Sequence, residues 1–524
     1  MTGVPDFVPV VIVGAGPTGI TAAAKLAQYG VDCLVLDRWA EVYPQPRAVH
    51  LDEEICRLVA GLGCAEQFAA ISRPALGLRL RDRDFRILAE FHRECTESSN
   101  GYPQANMFDQ PEFEAMLRSN LEHFPHAMVR GNAELTGAVQ TGSNTVQVTF
   151  TDRLTAREHR VDTTYLLGCD GANSVVRTAI GSSMRDLRFQ QRWLVIDVAT
   201  DADLARWDGV HQVCDPHRAA TYMRIGETRY RWEFRLRDDE TADDHRTLAA
   251  VYPLILPWLS GVAPEHLELL RVAEYTFRAQ VADHWRRGNM FILGDAAHLT
   301  PPFIGQGLCA GLRDAVNLAW KIAGVLGGPL PESVLDTYER ERKAHARYMI
   351  RFALAVGAAM TAGGEVGDLL RWVVVPRLHR IPGIREKIVD STTPALRSSE
   401  LVLRRPGRRQ LAGRLCPNPV LPDGRRLDAV VCDSFALIED TALTPSHHAE
   451  ASRRGAVVVT AHPGTDLAAW LHAGRARAAV VRPDRTVMCA GRDVAGVASK
   501  IPPFAVSGAR TRCRSEGGSR GRSA

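Results

Sequence analysis

The sequence predicts an α/β protein in which a parallel-sheet domain carries an antiparallel (α+β) sheet insert, with a small C-terminal α/β unit after it. Three observations predict it. The run VPVVIVGAG, beginning at Val8, is a β-branched strand that stops in glycines and leads into a helical pattern and a second apolar strand. That order is a β-α-β unit of a buried parallel sheet. From about 185 to 280, bulky and charged side chains alternate, as in TYMRIGETRYRWEFRL, the pattern of antiparallel strands. After about Ala395 the composition turns to proline, arginine and glycine before a last stretch with two short apolar runs. A chain of 524 residues with 45% hydrophobic content has room for two or three domains of roughly 100–200 residues.

Taken in order, the first strand precedes a helix with apolar spacing at Ile20–Tyr29 and a second strand at Asp32–Leu36. A helical pattern covers Asp52–Ala70, opening on the acidic triplet Asp52-Glu53-Glu54, and strands are expected at Thr145–Phe150 and Tyr165–Leu167. The hairpin TYMRIGETRYRWEFRL should have one wet face, with its turn at Gly226-Glu227. The parallel sheet resumes at Met290–Leu293, and a long helix follows from about Ala310 to Leu326. Strands at Ala456–Thr460 and Ala478–Val481 mark the last unit. The expected division is 1–184 and 281–395 for the nucleotide-binding domain, 185–280 for a substrate-binding sheet insert, and 410–504 for the C-terminal unit. The tail 505–524 is rich in arginine, serine and glycine, and is expected to be disordered.

Charge and cysteine usage narrow the function classes. The net charge of +4 is concentrated in the tail, which holds five arginines against Glu516; the body is near neutral, so no nucleic-acid partner is expected. Eleven cysteines without C-x-x-C or Cys/His spacing argue against a bound metal and a disulfide framework. The N-terminus has none of the features of a secretory signal. No uncharged apolar run reaches the roughly 20 residues of a membrane span; the nearest, around Ala353–Val375, is interrupted by Glu365, Asp368 and Arg371. A cytoplasmic protein that stays off membranes is expected, and a homodimer is a candidate assembly.

Gly14-Ala15-Gly16-Pro17-Thr18-Gly19 lies between strand and helix, where a dinucleotide fingerprint must lie. Gly14 permits the tight turn, Gly16 the approach of a pyrophosphate, and Gly19 close packing of helix on strand. The helix start offers free N–H groups and partial positive charge to phosphates. Asp37 closes the second strand and is placed to accept hydrogen bonds from a ribose, with Arg38 beside it. A second motif, FILGDAAHLTPPFIGQGLCAG, joins a buried strand to Gly294-Asp295 and then to a loop, Pro301–Gly307, that runs into a helix. Its glycines let backbone N–H groups reach something flat and electron-rich.

The motifs GAGPTG, the Asp-Gly of GCDGANSVVR, and GDAAH followed by PPFIGQG resemble those of single-component flavoprotein aromatic hydroxylases, typified by p-hydroxybenzoate hydroxylase. YPQPRAVHLDEE, YPQANMFDQPEFE, GLRDAVNLAWK and LDTYERERKAHA most resemble the 3-(3-hydroxyphenyl)propionate/3-hydroxycinnamate hydroxylases, over roughly residues 8–400. The resemblance implies a Rossmann-like FAD-binding domain and a thioredoxin-like C-terminal unit, the latter without C-x-x-C and hence without a redox role. It gives Asp37 to the adenosine ribose, Arg47 and Gln110 to the pyrophosphate or ribityl region, and Asp295 to the ribityl or pyrophosphate side. Gly305, Gln306, Gly307 and Leu308 would back the pyrimidine edge of the flavin ring, and Gly294 and Pro302 would be cofactor-binding. Asp170 would serve FAD and the reduced nicotinamide, with turn capping as the competing reading. Where many relatives have asparagine this chain has Cys309; with no partner thiol nearby, a redox role for it is not expected.

The resemblance also implies the reaction. With a single dinucleotide fingerprint, NADH or NADPH would be a transient reductant, and O₂ would supply the oxygen atom placed on a phenol ring. The expected substrate is a phenolic acid, 3-(3-hydroxyphenyl)propionate or 3-hydroxycinnamate, hydroxylated to the 2,3-dihydroxy product. The alternatives are another aromatic, such as a simple phenol or a polyketide, or a non-oxygenating FAD oxidoreductase. No catalytic base is identified. His211, Tyr222 and Tyr230 are candidates on the insert, and a carboxylate tail would want Arg224, Arg229 or Arg231, although exposed strand arginines are the ordinary reading. His298 reads as local packing.

Overall fold

The computed structural model describes residues 3–43, 48–93, 96, 98–363, 367, 393–404, 410–440 and 444–504. Arg47 and the tail 505–524, expected to be disordered, lie outside the described residues. The first strand, Phe7–Val13, pairs in parallel with Cys33–Leu36 on one side and Glu158–Gly168 on the other. Ala127–Arg130 and Met290–Ile292 extend this sheet in parallel. Its central residues Val10, Val11 and Ile12 have no exposed surface, as β-branched runs in a doubly covered sheet should. The helix Pro17–Gln28 covers it, and the helix Gly307–Leu326 packs against that helix in turn.

Two expected elements differ in extent. The strand expected at Tyr165–Leu167 is the end of an 11-residue strand, Glu158–Gly168. Its first half alternates because it pairs antiparallel with Val146–Asp152 at the margin of the sheet. The helical stretch expected across Asp52–Ala70 is two helices, Glu53–Gly61 and Ala65–Ile71. Gly63 breaks it by taking a left-handed φ of +91°, a conformation that suits glycine.

A second eight-stranded sheet runs in the order His298–Leu299, Glu268–Ala282, Met184–Ala199, Arg229–Arg235, Ala220–Arg224, Val210–Val213, Gly77–Arg81 and Ile87–His92. It is larger than the stretch 185–280, because the hairpin of Gly77–Arg81 and Ile87–His92 joins it, in parallel, beside Val210–Val213. The expectation of a wet face is corrected. Arg231, Glu233 and Thr221 are buried along with their apolar neighbours. One face carries Tyr222, Tyr230, Trp232 and Phe234 into a core closed by Val251, Ile255 and Trp258, and the other face walls a cavity. Alternation along the strand survives, but both of its sides are covered.

The C-terminal unit is a four-stranded sheet ordered Val457–Thr460, Ala436–Glu439, Ala478–Val481 and Val487–Gly491. A buried ion network joins it to the rest. Glu341, on the helix Asp336–Thr361, lies 3.0 Å from Arg482 Nη1 and 3.0 Å from Lys321 Nζ. Asn317 Nδ2 donates to Glu341 at 2.9 Å and to Asp484 at 3.2 Å. Burial works toward the neutral acid, yet Arg482 and Lys321 hold the Glu341 carboxyl well below the usual range. Burial draws Lys321 down to about 8.

Removing one member of such a network leaves buried charges without a counter-charge. Glu341→Ala should therefore destabilise the protein by roughly 3–5 kcal/mol. The urea-unfolding midpoint of the FAD-loaded variant checks this; a midpoint equal to that of the parent would contradict it.

Candidate active site

The glycine loop is built as its residues require. Gly14 has φ +102°, and a Cβ there would stand 2.3 Å from the Cys169 carbonyl oxygen. A Cβ on Gly19 would stand 1.9 Å from the Gly14 carbonyl oxygen, so strand and helix approach closely only because both are glycine. Gly16 differs: no protein atom lies within 4 Å of its Cβ position, and the space beside it belongs to the cavity. The helix that follows has no side-chain cap and no acid in its first turn, so its N–H groups and dipole are left for an anion. Asp37 ends the second strand and accepts from the Ala15 N–H at 2.5 Å and the Trp39 N–H at 2.8 Å. It fastens the loop as well as lining the cavity with Arg38, Pro17 and Thr18.

The second motif meets the first face to face. Gly294 takes φ +59°, and a Cβ there would come within 2.9 Å of Thr18 Oγ1. Its N–H donates to Asp314 Oδ2 at 3.1 Å, and His298 Nε2 lies 2.8 Å from the same oxygen. His298 is thus a buried partner of Asp314. Beyond Asp295, the loop turns at Gly305 with φ +63°, where a Cβ would press on the His50 ring at 2.9 Å. Pro302, Gly305, Gly307 and Leu308 line the cavity, and the helix from Gly307 again lacks a side-chain cap. Gln306 also borders it, but its side-chain amide is committed to protein: Nε2 donates to Asp52 at 2.9 Å and Oε1 accepts from Arg313 at 3.0 Å.

Gln110 and Asp170 reach the same cavity. Gln110 accepts from the Ala48 N–H at 2.6 Å and donates to Glu114 at 2.6 Å. Asp170 caps the helix Val175–Ala179, accepting from Ser174 Oγ at 2.5 Å and from the N–H groups of Val175 and Val176 at 2.7 and 3.1 Å. Burial pushes its carboxyl pKa up. Turn capping and a place on the cavity therefore coexist in this residue. The Cys309 thiol is buried 3.8 Å from the carbonyl oxygens of His50 and Gly305. Burial raises its pKa far above that of a free thiol, which makes it inert.

The cavity is continuous, about 880 Å³, from the glycine loop to the cavity-facing side of the second sheet. There alternation corrects the candidates expected on the insert. His211, Tyr222 and Tyr230 point to the opposite, core face: His211 stacks on Trp207 and lies 3.2 Å from its carbonyl oxygen, and Tyr222 and Tyr230 pack in the aromatic core. The arginines are engaged elsewhere. Arg231 pairs with Asp197 at 2.6 Å, Arg229 with Asp109, and Arg224 donates to the Gly226 carbonyl at 3.2 Å. None of the three lines the cavity.

The residues that do line this end are Trp193, Val195, Gln212, Thr221, Met223 and Glu233, with Tyr275 and Phe277 beside them and His50 opposite. Sequence reasoning missed Gln212, Glu233 and His50. A signal existed for Glu233: placing Arg229 and Arg231 on one face places Glu233 there too. His50 Nδ1 lies 3.4 Å from the Gly305 carbonyl oxygen and its Nε2 3.3 Å from Arg93 Nη1. Burial, and then Arg93, pull its pKa to about 4, so the ring is neutral at neutral pH.

These residues fit FAD. Two uncapped helix starts, an open cradle at Gly16, a left-handed glycine at Gly305 and a carboxylate at the end of the second strand suit a dinucleotide with an extended ring system. The architecture defines a dinucleotide-binding flavoprotein with a covered substrate chamber. Residues 7–353 match the family described as FAD binding domain; the chain belongs to it and is a flavoprotein aromatic hydroxylase. A 3-(3-hydroxy-phenyl)propionate/3-hydroxycinnamic acid hydroxylase of Burkholderia cenocepacia (strain HI2424) is 31% identical over 538 residues, 96% of this chain and 97% of the relative. A probable NADH-specific resorcinol 4-hydroxylase of Rhodococcus jostii (strain RHA1) is 35% identical over 354 residues, 68% of this chain and 66% of the relative. Among solved structures, the flavin-dependent monooxygenase PieE in complex with FAD and substrate has a TM-score of 0.78 at 22% identity, covering 95% of this chain and 99% of its own. A ternary complex of aklavinone-11 hydroxylase with FAD and aklavinone has 0.77 at 24%, covering 94% and 99%. These two share the fold. Among the described residues no helix is long and apolar enough to cross a membrane.

His50 and His211 yield a pH prediction. Burial draws both to about 4, below the unfolded value of about 6.5. As pH falls from 6.5 toward 4, the unfolded chain takes up protons that the folded chain refuses, so stability is lost; above 6.5 it is constant. Each histidine should cost roughly 2 kcal/mol by pH 5. His211→Phe should flatten the fall of the urea midpoint between pH 7 and 5; an unchanged pH slope would count against it.

Proposed function

We propose that the protein hydroxylates a single-ring phenol ortho to its hydroxyl group, with NADH or NADPH as transient reductant and O₂ as oxygen source, in the cytoplasm. The observation that carries this reading is the single enclosure running from the glycine loop to the aromatic-lined sheet. Such an enclosure would hold a flat cofactor and a small ring in one water-poor chamber. The same reading assigns 1–184 and 281–395 to the FAD-binding unit, 185–280 together with the 77–92 hairpin to the substrate sheet, and 410–504 to the C-terminal unit. When bound, FAD supplies hydride acceptance and O₂ activation, which no side chain here can provide.

In this reading the backbone of Gly14–Gly19 and the helix start at Pro17 hold the pyrophosphate, with Asp37 and Arg38 at the adenosine ribose. Gln110 and Asp295 serve the pyrophosphate and ribityl stretch, a role that the family resemblance also gives to Arg47, and Gly305–Leu308 back the flavin ring. The N–H groups at the Gly307 helix start stabilise negative charge on the ring edge they face. His50, with Nδ1–H toward the Gly305 carbonyl and Nε2 beside Arg93, is a neutral ring bordering the chamber that positions the phenol. The phenol is either a phenolic acid, as named for the Burkholderia relative, or an uncharged one, as named for the Rhodococcus relative.

A panel of phenols scored for hydroxylated product and for NAD(P)H consumption tests the reading. At least one phenol should give product; NAD(P)H oxidation indifferent to every phenol would instead favour a non-oxygenating flavoprotein. His50→Asn should keep FAD and lower the hydroxylation rate; an unchanged rate would remove His50 from the substrate site. Asp295→Ala should release FAD on gel filtration; full FAD retention would remove Asp295 from the site.

A further inference from the structure

The cavity face of the second sheet carries a line of polar side chains that the cofactor-binding motifs leave unassigned. Strand pairing sets Val195 opposite Glu233, Glu233 opposite Thr221, Thr221 opposite Gln212, and Gln212 opposite Leu80. Neighbours along such a row are about 4.8 Å apart, so Glu233, Thr221 and Gln212 form a polar stripe between two apolar ends, and all line the cavity. Glu233 is 8% exposed, and its carboxyl has no hydrogen bond or ion pair to any described residue. Gln212 donates from Nε2 to the Phe303 carbonyl at 3.1 Å, while its Oε1 has no partner. The Tyr275 hydroxyl, one strand beyond Val195, has no hydrogen-bond partner either. Buried polar groups are normally satisfied, and leaving them unpaired is costly. Three such groups on one cavity floor point to a ligand that completes them.

The charge of that ligand follows from the next row. Arg271, Asp197 and Arg231 lie side by side on it, with Asp197 2.6 Å from Arg231 and 3.6 Å from Arg271. Arg231 is thus committed to Asp197 by two hydrogen bonds, the side-chain nitrogens of Arg271 are buried with no hydrogen-bond partner, and neither residue lines the cavity. A carboxylate laid on the stripe would meet the Glu233 carboxyl, while Arg231 and Arg271, whose charges bear on Glu233, stay off the cavity wall. Burial pushes the Glu233 carboxyl pKa up, and a carboxyl oxygen accepts a hydrogen bond from a ring hydroxyl. Arg93, a cation on the cavity wall, stands across from the stripe against His50.

We infer that Glu233, with Gln212 and Thr221, selects the substrate, and that the substrate is an uncharged phenol with a second hydroxyl group, a dihydroxybenzene of the resorcinol type, in preference to a phenolic acid. This rests on the hydroxylase reading above. One ring hydroxyl donates to Gln212 Oε1 or to a Glu233 carboxyl oxygen, while the ring lies on Val195, Trp193 and Met223.

The test uses the FAD-loaded enzyme with resorcinol and 3-(3-hydroxyphenyl)propionate, measuring binding by the flavin absorbance change and turnover by product. The parent enzyme should favour resorcinol at least tenfold in kcat/KM. Glu233→Leu should raise KM for resorcinol roughly 10- to 100-fold, and the near-isosteric Glu233→Gln should recover most of that loss. Glu233→Lys should shift the ratio of the two substrates toward the acid. A parent enzyme that prefers the acid, with affinity lost in Arg93→Gln and untouched in Glu233→Gln, would overturn the inference and leave the hydroxylase reading standing. If no phenol is oxygenated, that reading falls and the inference with it.

Discussion

Two adjacent side chains in the helix Gly307–Leu326 hold the site together. Asp314, fully buried, accepts from the Gly294 N–H, His298 and Arg342 at 3.1, 2.8 and 2.8 Å. Burial works against its charge, yet His298 and Arg342 hold the carboxyl below its usual range. Arg313 points the other way and binds Asp52 at 2.5 Å, Glu54 at 2.7 Å and Gln306 at 3.0 Å. One helical turn therefore fixes the Gly294-Asp295 turn on one side and the His50–Glu54 segment on the other. Successive residues on a helix point about 100° apart, which is why neighbours in sequence can serve opposite walls. Without this pair the backbone donors at Gly294 and at the Gly305 loop would have no common reference.

The same helix is held at its far end by the buried Asn317, Lys321, Glu341 and Arg482 group. The C-terminal unit thereby buttresses the helix whose first turn borders the cavity. A unit without C-x-x-C thus has a mechanical role, because a helix pinned at both ends cannot slide along its axis and its N–H groups stay aimed. Phe435 and Phe504 pack edge-on against Trp320 of the helix at 5.5 and 5.8 Å, adding apolar area to the ionic tie.

The cofactor end was legible in the sequence because its chemistry is local. Gly14, Gly16 and Gly19 owe their identity to steric demands within one turn, and Asp37 to the end of the strand that pairs with the first. Short apolar runs located Phe7–Val13 and Ala478–Val481 with little error. The substrate end was not legible in the same way. Arg231 looks solvent-facing until its partner Asp197, 34 residues away, is seen, and Arg313 meets Asp52 across 261 residues. Period-2 alternation says which residues share a face but not what covers that face. Here the long helix Asp336–Thr361 covers the side that was expected to be wet, while the 77–92 hairpin extends the sheet at its edge.

This division bears on how the two ends tolerate change. At the cofactor end the donors are main-chain N–H groups at two helix starts, so the requirement on side chains is chiefly that they be small or absent. At the substrate end the surface is made of side chains, and each cavity-facing residue alternates with one that belongs to the opposite core, as Glu233 lies between Trp232 and Phe234. A substitution at Glu233, Thr221 or Gln212 alters the charge and hydrogen bonding of the chamber while the aromatic core behind the strand keeps its packing. A sheet covered on both faces thus separates the residues that hold the fold from those that choose the substrate, one position apart along the same strand.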